Sequence, residues 1–254
     1  MNEHPLFLLP ALFLGVAAQG QIVVPPTTTT FTGGDVTVAT DWDPGLPTGT
    51  DVGLISIDTN LPSGVADYNW VQTGGDITTS FNRTLGGMTW YITGGSVAST
   101  ANLQHVTGNP FEIYVVGGSL SAAQFRNRDS SLLYIESGTV TLSGSLNMNG
   151  GLTTFGLGNG TLSAASLSSD ASSRINFVSG SGGSLAITGF GLSDYETLWT
   201  GGRLQFDGGN AGTFGDHFQV DGSTLSLIPE PSTYALFAGM GALALVVFIR
   251  RRKP

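Results

Sequence analysis

The chain has 254 residues, of which 38 are glycine and only 11% are charged. Long helices draw on Ala, Leu, Glu and Lys, so this composition excludes a helical bundle or a coiled coil. Because the chain has no cysteine, disulfide frameworks, thiolate metal sites and cysteine nucleophiles are excluded as well.

The charge is distributed unevenly along the chain. Between Gln21 and Ile228 there are 16 acidic and five basic residues, whereas four of the nine basic residues lie in the last five positions. A body this acidic repels phosphate backbones, so we do not expect nucleic acid as a partner.

Residues 1–20 have the pattern of a cleavable signal helix. Leu6–Val16 is apolar and about as long as a signal-peptide core, and Ala18 and Gly20 are small residues that could each precede the cut. The segment lacks the usual Lys or Arg before its apolar core, and a buried apolar strand is the alternative. Residues 21–32 follow as a polar, proline-containing leader that we expect to be extended.

The body, residues 33–190, alternates apolar with small polar residues. The clearest stretch runs from Val140 to Met148, where apolar residues are interleaved with Thr, Ser and Asn. A period of two predicts a β-strand with one buried face and one solvent-exposed face.

Glycines recur in the body at intervals of 20 to 23 residues, each just after an apolar strand end: Gly75, Gly95, Gly118, Gly138, Gly160 and Gly183. Stacked coils need a turn at the same place in every coil, and glycine tolerates positive φ there. The spacing predicts an all-β fold, a right-handed parallel β-helix with coils of about 21 residues. A β-sandwich of hairpins is the alternative, because it is also rich in glycine turns.

Residues 191–228 depart from the repeat and are predicted to form an irregular C-terminal cap. Ser193 and Glu196 have the spacing of a capping box at the start of a short helix, which Gly201 and Gly202 would end. Three further strands are expected, at Arg203–Phe206, Phe218–Val220 and Thr224–Ile228.

The last segment, residues 229–254, has three parts in a fixed order. Pro229, Glu230 and Pro231 are followed by an uncharged apolar run, Tyr234–Ile249, and then by a basic terminus of Arg250, Arg251, Arg252 and Lys253. The run is just long enough to cross the hydrocarbon core as a helix if it is extended back to Pro231, and the basic terminus would stop transfer on the cytoplasmic side. A plain membrane anchor on a stiff stem is one interpretation.

This tripartite tail resembles the PEP-CTERM sorting signal. The resemblance implies a bacterial exported protein whose tail is recognised by an exosortase, a membrane-embedded cysteine transpeptidase, and cut near the Pro-Glu-Pro. It also implies frequent association with exopolysaccharide production. The repetitive body is similar to the β-helices of autotransporter-type proteins.

Candidate chemistry in the body is sparse. Asp41 and Asp43, on either side of Trp42, are weak candidates for calcium ligands, although Asp before Pro-Gly is also an ordinary turn. Six aromatic residues could form a sugar-binding stripe or pack the β-core: Trp70, Trp90, Tyr91, Tyr114, Tyr134 and Trp199.

The sequence therefore predicts no catalytic residues and no cofactor. We expect a non-enzymatic surface or matrix protein with a structural or adhesive role, held briefly in the inner membrane and finally located at the cell surface or outside the cell. The alternative is a polysaccharide lyase, a glycoside hydrolase or a carbohydrate-binding protein on the same fold.

Overall fold

The computed structural model describes residues 22–33, 41–43, 46–47, 51–61, 69–79, 83–85, 87–105, 111–126, 131–149 and 154–228. Within these ranges the chain forms 22 strands and two helices, α1 (Leu192–Thr200) and α2 (Phe214–His217). Neither helix of this described part is long and apolar enough to cross a membrane. The predicted signal helix and transmembrane helix lie outside the described residues.

The strands lie on three faces, which the chain visits in turn. The first face contains, in spatial order, β2 (Trp42–Asp43), β1 (Thr29–Phe31), β3 (Val52–Ile55), β5 (Asn69–Gln72), β8 (Thr89–Ile92), β11 (Glu112–Val115), β14 (Leu132–Ile135), β16 (Thr154–Leu157), β18 (Arg174–Phe177) and β20 (Leu204–Phe206). On this face only the β1–β2 pair is antiparallel among the described strands. Thr29–Phe31 of the polar leader is thus part of the sheet.

The second face continues each coil. It contains β4 (Thr59–Asn60), β6 (Asp76–Thr79), β9 (Ser96–Ser99), β12 (Ser119–Ala122), the first halves of β15 (Thr139–Met148) and β17 (Thr161–Ser169), and β19 (Ser184–Ile187). The third face contains β7 (Arg83–Leu85), β10 (Asn102–His105), β13 (Gln124–Arg126) and the second halves of β15 and β17. After β19 the second face ends in an antiparallel pair, β22 (Thr224–Leu227) and β21 (Phe218–Asp221).

Successive coils pair in parallel, residue for residue. Glu112 is aligned with Leu132, and Leu120 with Val140, one coil further along the chain. The parallel β-solenoid of about six turns is therefore confirmed. The β-sandwich of hairpins is excluded for the described body, because hairpins pair antiparallel.

The repeating glycines lie at the corner between the first and second faces. After five of the six glycines, the amide of the next residue donates to a glycine carbonyl in the preceding coil, as from Ser119 to Gly95 and from Thr139 to Gly118, both at 3.1 Å. After Gly75, the Asp76 amide donates instead to Oδ1 of Asp58 at 2.9 Å. Of the six predicted turn glycines, only Gly75 and Gly95 have positive φ. At the other four, glycine is required by close approach, since a Cβ would press on the neighbouring coil. The position was predicted correctly, but positive φ explains only two of the six.

The core is a set of inward columns that run along the solenoid. Ile92, Val115, Ile135 and Leu157 are aligned on the first face, and none of them is exposed to solvent. Burying an aliphatic side chain of this size contributes about 1.5–3 kcal/mol. One coil alone could not cover these residues, so the stack is the stable unit.

The cap begins with α1, whose start differs from the prediction. The N-cap is Gly191 rather than Ser193, and its amide donates to Oδ2 of Asp194 at 2.8 Å. Asp194 therefore takes the part predicted for Glu196, because the helix starts at Leu192, earlier than predicted. Glycine has no side chain, so only this half of the predicted capping box is present. Its end at Gly201 and the three following strands are confirmed. Helix α2 was not predicted.

Candidate functional site

Asp41 and Asp43, the weak candidates for calcium ligands, belong to no metal-binding group of the described residues. Asp41 and Asp43 lie in and beside the short strand β2, where the Asp41 carbonyl accepts from the Thr32 amide at 2.8 Å. The Asp43 residue is exposed. Within the described ranges, no three His, Asp or Glu side chains are grouped so that they could hold a metal ion.

The six candidate aromatic residues are divided between the interior and the surface. Trp70 and Trp90 are 1% exposed and stack inside the solenoid, with ring centroids 4.3 Å apart. Trp199 is buried in the cap. Tyr91, Tyr114 and Tyr134 are half-buried on the outer side of the first face. The prediction of core packing is thus correct for the three tryptophans.

The three tyrosines form one outward column, which we call the tyrosine column. The register aligns Tyr91 with Tyr114, Tyr114 with Tyr134, and Tyr134 with Gly156. Tyr91 and Tyr114 stack with centroids 5.0 Å apart and ring planes 10° apart, and the Tyr114 and Tyr134 centroids are 6.4 Å apart. A side chain at Gly156 would overlap the Tyr134 ring, so that ring packs on bare backbone.

The electrostatics of this column keep its phenols neutral. Burial, and then the negative charge of Glu112, raises the pKa of Tyr91 and of Tyr114 above the ordinary value. The Tyr114 hydroxyl also donates to Oε2 of Glu112 at 3.1 Å. Burial and the charge of Glu136 raise the pKa of Tyr134. The column therefore presents neutral hydroxyls. The ring faces of Tyr91 and Tyr114 cover each other, whereas the Tyr134 ring is tilted by 53° against that of Tyr114.

A cleft lies where the third face meets the cap, and we call it the cap cleft. It has a volume of about 360 Å³, and its lining includes Leu167 and Ser169 of β17, Asp194 and Leu198 of α1, and Phe190 and Arg203 beside the helix. Arg203 Nη1 donates to Ser169 Oγ at 3.3 Å. The cleft was not predicted from the sequence, in which its one signal is Arg203, one of five basic residues in an acidic body.

The predicted sorting residues are outside the described part of the chain. These are Pro229, Glu230 and Pro231, the basic group Arg250–Lys253, and the cleavage candidates Ala18 and Gly20. The last described residue is Ile228, which is 39% exposed. Its amide donates to the His217 carbonyl at 2.9 Å, so the folded cap extends to the residue before Pro229.

No family model, curated protein or solved structure matches this chain.

Proposed function

We propose that this protein is a non-enzymatic component of a bacterial cell surface or extracellular matrix, sorted through its tail by an exosortase-type enzyme. The observation that carries the proposal is the position of the tripartite tail. The cap ends with β22 at Leu227, and Pro229-Glu230-Pro231 begins two residues later. A processing enzyme would thus meet the motif directly between a folded body and an apolar segment.

The chemistry of the tail supports this function. Pro229 and Pro231 cannot donate backbone hydrogen bonds and favour an extended chain around Glu230, which an enzyme at the membrane face could grip. The apolar run and its basic end would hold the precursor in the inner membrane until the tail is cut. The mature protein would then stay at the surface or leave the cell.

The body suits a structural or adhesive role in contact with secreted polysaccharide. A stack of coils closed by a cap makes a regular rod, whose second face carries outward hydroxyls such as those of Thr139 and Thr161. We propose that the coils wind right-handed, as nearly all crossover connections between parallel strands do.

A carbohydrate-binding or polysaccharide-active protein is the second candidate, and the tyrosine column is the feature that would favour it. A sugar ring stacks on an open aromatic face. Tyr91 and Tyr114 cover each other, and Tyr134 packs on Gly156. This arrangement favours a role of the column in holding coils together, so the structural function is preferred.

The test is a double variant, Pro229→Ala/Glu230→Ala, expressed in the bacterium that makes the protein. We expect the variant to accumulate uncut in the inner membrane, because the enzyme loses its recognition motif. A matched control, Ser232→Ala/Thr233→Ala, should be processed normally. If the double variant reaches the exterior as the wild type does, sorting through this motif is wrong.

A further inference from the structure

The cap cleft has an apolar floor at the end of a core column. Phe125, Leu146 and Leu167 are aligned on the inner side of the third face. The first two are at most 1% exposed, whereas Leu167 is half-buried and lines the cleft. Helix α1 lies over this end of the column, and Phe190 and Leu198 complete the floor. The cleft therefore offers an apolar surface that the cap covers only in part.

Polar side chains surround this floor. They are the hydroxyls of Ser168, Ser169 and Thr197, the carboxylate of Asp194 and the guanidinium of Arg203. The Thr197 hydroxyl donates to the Ser193 carbonyl at 2.7 Å and can still accept a bond. The Gly191 amide donates to Oδ2 of Asp194 at 2.8 Å, and Oδ1 accepts no bond from the described residues. The rim therefore has acceptors and donors available for a ligand.

Arg203 is held at the cleft by its backbone. Its amide donates to the Leu198 carbonyl at 2.9 Å, and its carbonyl accepts from the Ile175 amide at 2.7 Å. Among the described residues, its guanidinium makes one hydrogen bond, from Nη1 to Ser169 Oγ at 3.3 Å, and pairs with no carboxylate. By comparison, Arg174 Nη1 donates to two backbone carbonyls, at 2.7 and 2.8 Å. Arg203 thus keeps most of its N–H donors for a ligand.

These groups together select a ligand with a carboxylate, hydroxyls and an apolar face. A guanidinium binds a carboxylate through two parallel hydrogen bonds, more strongly than it binds a neutral oxygen. The rim groups exchange hydrogen bonds with alcohols, and the floor packs against C–H groups. A uronic acid, which is a sugar ring with one carboxylate, combines all three features.

The size of the cleft agrees with a single sugar unit. Its volume of about 360 Å³ is at the lower end of the range for small-molecule sites, about 300–1,000 Å³. A longer segment of a polysaccharide would extend beyond the cleft into solvent. The cleft therefore recognises one unit and not the whole chain.

The acidic body does not prevent an anion from binding in this cleft. The body between Gln21 and Ile228 has a large excess of acidic residues, but repulsion between exposed charges is screened beyond about 8 Å at physiological ionic strength. The lining itself has one acid and one base, Asp194 and Arg203. The local pair with Arg203 therefore decides whether a carboxylate binds.

We propose that the cap cleft binds a uronic acid unit of a polysaccharide, with the carboxylate on Arg203 and the sugar ring over Leu167. This assignment rests on the proposed contact between the body and secreted polysaccharide, and it names the class of sugar that is recognised. It does not depend on sorting through the tail.

A ligand-observed NMR titration of the full-length protein in detergent tests the ligand class, with sodium glucuronate as the probe. The methyl ester of glucuronic acid has the same ring without the charge, and acetate has the charge without the ring. We expect glucuronate to bind at least about tenfold more tightly than either, because the ester loses the charge-assisted pair with Arg203 and acetate loses the contacts of the ring.

Two threonines of α1 provide a matched pair of blocking variants. Both are exposed, and both donate to the carbonyl four residues earlier, Thr197 at 2.7 Å and Thr200 at 3.0 Å. Of the two, Thr197 lines the cleft. Thr197→Phe should abolish glucuronate binding because the ring fills the cleft, whereas Thr200→Phe should bind as the wild type does.

Arg203→Gln tests the charge directly and should weaken glucuronate binding by about tenfold or more. Arg174→Gln, outside the cleft, is its matched control and should leave binding unchanged. Circular dichroism checks that each variant is folded, and the ligand series on the wild type applies even if Arg203→Gln is not.

The uronic acid assignment is overturned if glucuronate binds no more tightly than its ester or acetate, or if both members of a matched pair behave alike. It is also overturned if no glucuronate binding is detected. In each of these cases sorting through the tail still stands or falls with the Pro229→Ala/Glu230→Ala variant.

Discussion

At Gly95 the corner of the coil has no room for a side chain. Its φ is +68°, and an added Cβ would overlap the carbonyl oxygen of Gly75 in the preceding coil. Gly189 also has positive φ, at +80°, but no other atom lies within 4 Å of an added Cβ. Alanine at Gly189 would therefore add backbone strain alone, whereas alanine at Gly95 would add both strain and crowding against the preceding coil.

We predict that Gly189→Ala lowers the free energy of unfolding by about 1–2 kcal/mol, the cost of left-handed backbone for an L-residue. Gly95→Ala should cost about 3 kcal/mol or more, because overpacking against fixed backbone is added to that strain. Urea denaturation followed by circular dichroism measures both. Equal losses for the two variants would mean that the coils are not in tight contact at this corner.

Tyr195 connects α1 to the end of the second face. It is fully buried, its hydroxyl donates to the Ser223 carbonyl at 2.8 Å, and the Ile187 amide lies 3.3 Å from that hydroxyl. Burial, the largest effect, raises the pKa of Tyr195 to about 12 from the ordinary 10.0. The neutral phenol is therefore favoured in the folded state.

For Tyr195→Phe we predict that the free energy of unfolding falls by about 1–3 kcal/mol at neutral pH, because the Ser223 carbonyl and the Ile187 amide lose their partner. The raised pKa means that Tyr195 contributes fully below pH 10 and that its contribution falls as pH rises through about 12. The difference between wild type and variant should shrink over that range in denaturation curves. A difference that stays constant to pH 12 would contradict the assigned role of the phenol.

Among the elements, α1 shows how a local pattern can be misread. The spacing of Ser193 and Glu196 fits a capping box, whereas in the structure the Asp194 side chain accepts from the amide of the N-cap residue Gly191. The packing of Tyr195, Leu198 and Trp199 into the cap fixes the helix position, and that packing is not visible in the spacing. The predicted end of the helix was correct because two adjacent glycines leave few alternatives.

A pair of alanine variants distinguishes the N-cap of α1 in the structure, Gly191, from the predicted N-cap, Ser193. Asp194→Ala removes the acceptor of the Gly191 amide and should lower the free energy of unfolding by about 1 kcal/mol. Ser193→Ala should change it by less than about 0.5 kcal/mol, as for other exposed substitutions. Thermal unfolding of the full chain measures both changes. A larger loss for Ser193→Ala than for Asp194→Ala would support Ser193 as the N-cap of α1 instead.

For the whole molecule, the repeat predicted the parallel solenoid because each coil must place its turn glycine at the same corner. The same reasoning did not predict the third face, since β15 and β17 continue across the corner from the second face and join both faces in one sheet. The cap cleft could not be predicted either. Leu167 and Arg203 come together only because the cap folds back on the last coil.

The division of the aromatic residues is also a property of the assembled stack. Trp90 and Tyr91 are neighbours in sequence, yet one points into the core and the other lies outside. Strand alternation predicts opposite faces for the two residues, but which face is inner depends on the direction in which the coil closes. The stacking between coils follows from the register and not from any local motif.

The most direct measurement is mass spectrometry of the mature protein recovered from the cell surface or the medium. If the tail is a sorting signal, its C-terminal peptide should end near Pro229–Pro231, and no peptide from the apolar run or from Arg250–Lys253 should be present. Recovery of the intact basic terminus in that fraction would contradict the proposed processing.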